Sequence, residues 1–276
     1  MALALLVAIV LPLAAFLPPK YVVALPVNVL VPLYINPEAG GWDRLVDSAI
    51  KHSSTNFTVI LNPSNGPGST AWPSGTYIAE IKKLNKLPNV ATIGYIDVDD
   101  GQRANANVLK EIETYAGWNN SQIALSGIFF DHTPSLEWGD IVNGTAQEYL
   151  RNISATVKTL GGFDERRTVV FNPGKIPNAN LSMSGVADIT VVFEGAYNEM
   201  PAMEDVKGEL SALQQTREGL AYWVHSVPGS AGRHGVRKVV DRTRRNFEWL
   251  FLSNRWGEDK YEGYGDGWEE FLDLTW

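Results

Sequence analysis

The chain has 276 residues, 45% of them hydrophobic and 20% charged, a balance that suits one sizeable core and excludes wholesale disorder, collagen-like repeats and coiled coils. A net charge of -8 argues against a phosphate-gripping surface, so no nucleic acid is expected as a partner. The absence of cysteine excludes disulfides, thiolate nucleophiles and Cys-ligated metals, which leaves any chemistry to oxygen and nitrogen groups.

Residues 1–17 form an unbroken apolar run that Pro18, Pro19 and Lys20 bring to a stop. Its length fits a signal peptide or a short membrane anchor, so residues 1–25 are set apart from the fold. Cleavage and retention both stay open; either route leads to secretion or to the cell surface, with membrane attachment in the second case. Five Asn-x-Ser/Thr sequons, at Asn56, Asn119, Asn143, Asn152 and Asn180, fit that route as glycosylation sites.

Residues 26–276 read as a single domain in which strand and helix patterns alternate. Strand-like runs occur at residues 28–34, 57–62, 90–97, 125–131, 168–172, 189–194, 221–226 and 247–253. Between them, apolar residues recur at helical spacing. The first stripe is Trp42, Leu45, Val46, Ala49 and Ile50; the next two are Tyr77, Ile81, Leu84 and Val108, Ile112, Tyr115. Ala146, Tyr149, Leu150, Ile153, Val157 and Leu160 form a fourth, followed by Val206, Leu210, Leu213 and by Val236, Val239, Val240. Residues 177–185 are too few for a long helix and read as irregular. Eight strands with helical crossovers predict an α/β fold, a (β/α)8 TIM barrel with parallel strands. An open doubly wound sheet is the rival, but no G-x-G-x-x-G follows the first strand.

Barrel active sites lie at the C-terminal strand ends. The runs end on Tyr34, Asn62, Tyr95 or Asp97, Asp131, Asn172, Glu194, His225 and Ser253. Alternation places Gly127, Phe129 and Asp131 on one face, and Thr190, Val192 and Glu194 on one face. Two carboxylates in a barrel mouth suit glycoside hydrolysis, one protonated and one ionised. They would equally serve as helix caps or loop-ordering acceptors, and both readings stay open at this level. The acidic run Asp97-Val-Asp-Asp-Gly reads as a turn with a helix cap rather than a Ca²⁺ loop. The histidines lack metal spacing, so neither metal nor cofactor is expected. Trp72, Trp118, Trp138 and Trp256 fall in loops, where an indole can stack on a sugar or simply pack. The basic stretch 233–245 reads as the solvated face of a helix.

The ordered motifs Val31-Pro-Leu-Tyr34, Ile60-Leu-Asn-Pro63, Gly66-Pro-Gly68, Gly94-Tyr-Ile96, Tyr115-Ala-Gly-Trp118, Gly127-Ile-Phe-Phe-Asp131, Phe171-Asn-Pro-Gly174 and Val192-Phe-Glu194 resemble the spherulation-specific family 4 (spherulin-4) proteins of glycoside hydrolase family 135. The resemblance implies a secreted or anchored (β/α)8 enzyme cleaving α-1,4-linked N-acetylgalactosamine in a cell-wall polysaccharide. It implies Asp131 and Glu194 as catalytic acids. The family's neighbouring Glu is replaced here by His132. Tyr34, Asn62, Tyr95, Asp97, His132, Asn172 and His225 are the expected substrate-binding residues. An endo-acting, monomeric hydrolase is expected; the alternative is a carbohydrate-binding protein silenced by the change at His132.

Overall fold

Val, Ile, Leu and Phe dominate the strand segments, where the interior polar residues Thr58, Thr92 and Thr190 are themselves buried, as strands buried on both faces require. In the computed structural model, which describes residues 24–136, 144–229 and 232–276, these segments close a parallel barrel in sequence order. The strands are β1 Asn28–Leu33, β2 Phe57–Leu61, β3 Val90–Asp97, β4 Gly127–Asp131, β5 Thr168–Asn172, β6 Ile189–Ala196, β7 Leu220–His225 and β8 Trp249–Leu252. Asn28 and Val29 of β1 pair with Trp249 and Leu250 of β8, which shuts the ring. The fold is thus the (β/α)8 barrel read from the alternation.

The helices are α1 Asp43–Lys51, α2 Gly75–Leu84, α3 Asn105–Gly117, α4 Ala146–Thr159, α5 Met203–Ala212, α6 Gly232–Thr243 and α7 Trp268–Leu272. The best-formed entry is that of α4. There Thr145 accepts from the Glu148 amide while the Glu148 carboxylate accepts from the Thr145 amide, a reciprocal cap that satisfies two otherwise orphaned donors. The β5–β6 connection carries no helix among the described residues, in line with the irregular reading of 177–185. Apolar stripes face the barrel as expected, except at Ile50, which is 59% exposed. It lies one helical step, about 100°, beyond Ala49 and so falls off the buried face.

Strand ends differ in ways that bear on function. Tyr34 and Asn62 stand just past β1 and β2, whereas β6 continues beyond Glu194 to Ala196. β6 also contains a bulge. Val191 pairs with Ala221 and the next partner of Tyr222 is Phe193, which leaves Val192 as the extra residue. The shared face expected for Thr190, Val192 and Glu194 is therefore corrected. Thr190, paired with Phe171 and Leu220, lies on the opposite face from Val191, and the bulge places Glu194 beside Trp223 on the inner face. Unbroken alternation from Thr190 would have turned Glu194 outward. The extra residue aims this carboxylate into the barrel.

The leader, apart from its last two positions, lies outside the described residues, as do Asn143 and Trp138. No helix among the described residues is long and apolar enough to cross a membrane. The asparagines of the other four sequons are exposed.

Candidate active site

Neighbouring parallel strands in register bring the ends of β3, β4 and β5 side by side: Asp97 pairs with Asp131, and Asp131 with Asn172. Their side chains consequently rise from the same face at the C-terminal mouth. The Asn172 side-chain nitrogen donates to Asp131 Oδ1 and to Glu194 Oε2, both at 2.7 Å. Those two carboxylate oxygens therefore lie no more than 5.4 Å apart, twice 2.7 Å. The Asn172 carboxamide oxygen accepts from the Gly174 amide at 3.0 Å, which fixes the orientation of its NH2 group.

Asp131 accepts three hydrogen bonds: from Asn172, from the Tyr95 hydroxyl at 2.8 Å and from the His132 amide at 3.0 Å. Burial, then the negative charge of Glu194, push its carboxyl above the usual carboxylate range, and the His132 charge with the Tyr95 hydroxyl and His132 amide offsets only part of that rise. Glu194 accepts from Asn172 and from the Tyr261 hydroxyl at 2.7 Å, with Lys260 Nζ 3.8 Å from its Oε1. Beneath the pair lies an aromatic floor. Phe129 stacks on Trp223 at 5.5 Å, Tyr261 packs against Trp223 and Phe251, and Tyr34 meets Tyr95 and Tyr261 edge-on. Burial first, and the carboxylates second, push the Tyr34, Tyr95 and Tyr261 phenols up, so they remain protonated.

His132 lies on the rim, its Nδ1 3.1 Å from Asp97 Oδ1. That hydrogen bond, with the Asp131, Asp97 and Glu194 charges, outweighs partial burial and pushes the imidazole up to about 9. Asp97 is held below the usual carboxylate range, first by the same contact. The signs of the linkage set a pH window. A raised imidazole contributes stability fully below its ordinary value of about 6.5 and loses it as pH rises through about 9. A depressed carboxyl contributes above its ordinary value and loses that contribution in acid. Thermal melts of wild type and His132→Gln should differ most between about pH 4 and 6.5 and converge toward pH 10; a difference that grows in alkali would contradict the pair.

Tyr95, Asp97, Asp131, His132, Asn172 and Glu194 thus form one hydrogen-bonded array, and Tyr34 packs against it. Two expected ligands lie outside that array. Asn62 turns its carboxamide oxygen to the Gly66 amide at 3.0 Å and orders its own loop. His225 contacts Ser226 Oγ at 2.9 Å and is held below the usual imidazole range, first by burial and then by the Lys260 charge.

The profile of the spherulation-specific family 4 matches residues 28–275. The chain belongs to this family. Among relatives, Spherulin-4 of Physarum polycephalum is 26% identical over 212 residues, which is 77% of this chain and 53% of that protein, so the chain spans about half of its length. The crystal structure of Aspergillus clavatus Sph3 in complex with GalNAc is 36% identical, covers 91% of this chain and 98% of its own, and superposes with a TM-score of 0.81. Membership and the likeness to this carbohydrate complex support a glycoside hydrolase-like or carbohydrate-binding role.

Within this family member, sequence reading missed Tyr261 and Lys260, both on the β8–α7 loop of residues 253–267. The length of that loop was the available signal, since long ordered loops in compact folds are usually functional. Trp118 is buried against Tyr115 at 4.7 Å rather than offered to ligand, whereas Trp72 and Trp256 are exposed, at 39% and 78%. The acidic run forms the expected turn, Asp97 Oδ1 accepting from the Asp99 amide, but α3 starts from Ala104 without a side-chain cap. The basic stretch is only partly solvated: Arg242 donates to the Pro201 carbonyl and buried Arg244 to that of Leu274.

Proposed function

We propose that the chain is a secreted or surface-attached glycoside hydrolase cleaving within α-1,4-linked N-acetylgalactosamine polymers by double displacement. The observation that carries this reading is the Asn172 bridge, which keeps the two bridged carboxylate oxygens no more than 5.4 Å apart, on the short side where retaining sites, at about 5–5.5 Å, are found. An inverting site needs about 6.5–9.5 Å to admit water between its acids. The sugar is argued from GalNAc in the complex of the 36% identical relative.

Asp131 is the nucleophile: its oxygens accept three hydrogen bonds, an arrangement that favours the carboxylate. It attacks the anomeric carbon as the glycosidic C–O bond breaks. Glu194 gives its proton to the leaving oxygen, then takes one from the water that splits the glycosyl ester. Tyr261 and Lys260 lie against Glu194 Oε1 and stabilise the negative charge it holds between these steps.

A second reading rests on His132, which stands where the family pattern has a carboxylate: the cleft binds the polymer without turning it over. Incubation with N-acetylgalactosamine-rich polysaccharide and mass spectrometry of the products separates the two. Oligosaccharides support hydrolysis. Retention of the polymer without products supports the binding protein, and neither binding nor products sinks both.

A further inference from the structure

The arrangement around His132 gives the residue a task of its own. Asp97 and Asp131 project from directly paired positions on β3 and β4, where two like charges side by side repel. His132 follows Asp131 in a left-handed conformation, φ 47°, uncommon for a residue with a side chain. Three backbone contacts hold that turn: its amide donates to Asp131 Oδ1 at 3.0 Å, its carbonyl accepts from the Asp100 amide at 2.7 Å, and the Thr133 amide donates to the Asn172 carbonyl at 3.0 Å. The turn delivers the ring to Asp97, whose Oδ1 also accepts from the Asp99 amide at 2.8 Å. His132 also borders a cavity of 350 Å³ that Asn172 and Glu194 line.

We propose that His132 is a positioning residue for the carboxylate pair: clamped by Asp97, its ring holds a positive charge beside Asp131 and keeps Asp131 the ionised member. The assignment of Asp131 as nucleophile rests on the hydrolase reading above; the charge relation does not. Of the groups around Asp131, Tyr34, Tyr95 and Tyr261 are neutral phenols, and Glu194 adds charge of the same sign. Lys260 stands against Glu194, Arg103, near Asp97, is paired with Glu111, and Lys175 and Asp100 line the cavity that His132 borders. Burial and Glu194 both drive Asp131 toward its neutral form, and among its neighbours the His132 charge is the largest opposing influence. The imidazolium persists through neutral pH because Asp97 holds it. This chain therefore orders its two acids with a cation, whereas a Glu at position 132 would add a third negative charge at the same corner.

The test is the titration of Asp131 followed by NMR on protein carrying 13C-labelled aspartate carboxyls, in wild type, His132→Gln, His132→Glu and His132→Lys. The Asp131 midpoint should rise in His132→Gln, rise further in His132→Glu and return toward wild type in His132→Lys. On the acidic limb of the pH profile, kcat/KM of His132→Gln should fall several-fold to about tenfold and recover toward wild type in His132→Lys. An Asp131 midpoint that is the same in all four proteins overturns the proposal. Because the NMR titration needs no turnover, a shifted midpoint in a protein that hydrolyses nothing would sink the hydrolase reading and leave the charge relation standing.

Discussion

Asp131→Asn and Glu194→Gln are each expected to lower hydrolysis roughly a thousandfold, about 4 kcal/mol of transition-state stabilisation. Both variants keep the shape of the side chain. In Asp131→Asn the amide oxygen can take the place of Oδ1, facing the Asn172 and His132 donors, while the new NH2 faces Tyr95, whose hydroxyl rotates to accept. In Glu194→Gln the NH2 faces Tyr261 in the same way. Folding should therefore survive in both, and the loss reports chemistry. Azide separates the roles. Added to Glu194→Gln acting on an activated aryl α-glycoside, it should intercept the glycosyl ester and give the α-azide, with retained configuration. With Asp131→Asn it should attack the substrate directly and give the β-azide. The opposite products would exchange the two roles, and unimpaired hydrolysis in either variant would remove that residue from the mechanism.

The barrel was legible because parallel strands buried on both faces leave near-continuous apolar runs, and each run here ends on a polar group where the mouth opens. Asp131 and Asn172 could be placed from strand ends alone, since β4 and β5 pair without interruption. Glu194 could not be placed securely in this way. Its inward aim depends on the bulge at Val192, and a bulge is set by pairing with β7, which no local pattern records. Tyr261 could not be singled out, beyond the length of its loop, for a related reason. Its hydroxyl reaches Glu194 across 67 positions of sequence, from a Gly-rich loop whose composition announces a turn and nothing more. Asn62 shows the converse. A polar residue at a strand end is a candidate ligand by position, yet its side chain is occupied by the loop that follows.

Gly127→Ala is expected to be the most damaging of the single-methyl changes, because β4 leaves no room at its first residue. Gly127 has φ 153°, and a Cβ there would lie 1.9 Å from the Thr168 carbonyl oxygen and 2.6 Å from Thr168 C and N. These are backbone atoms of the paired strand, so no rotamer relieves the clash. The β4–β5 ladder must open where the Thr168 amide donates to the Ser126 carbonyl at 2.7 Å. A loss of about 4 kcal/mol or more is expected, a large share of the roughly 5–15 kcal/mol that holds a domain together. Gly208→Ala is the control. It is the same chemical change, in exposed α5, with no atom within 4 Å of the added carbon and Ala favoured in a helix interior, so a gain of about 0.5–1 kcal/mol is expected. Urea denaturation of the two variants should move their midpoints in opposite directions. Equal midpoints would mean that β4 does not begin against Thr168 as described, and because β4 carries Asp131 four residues further on, the placement of the carboxylate pair would fall with it.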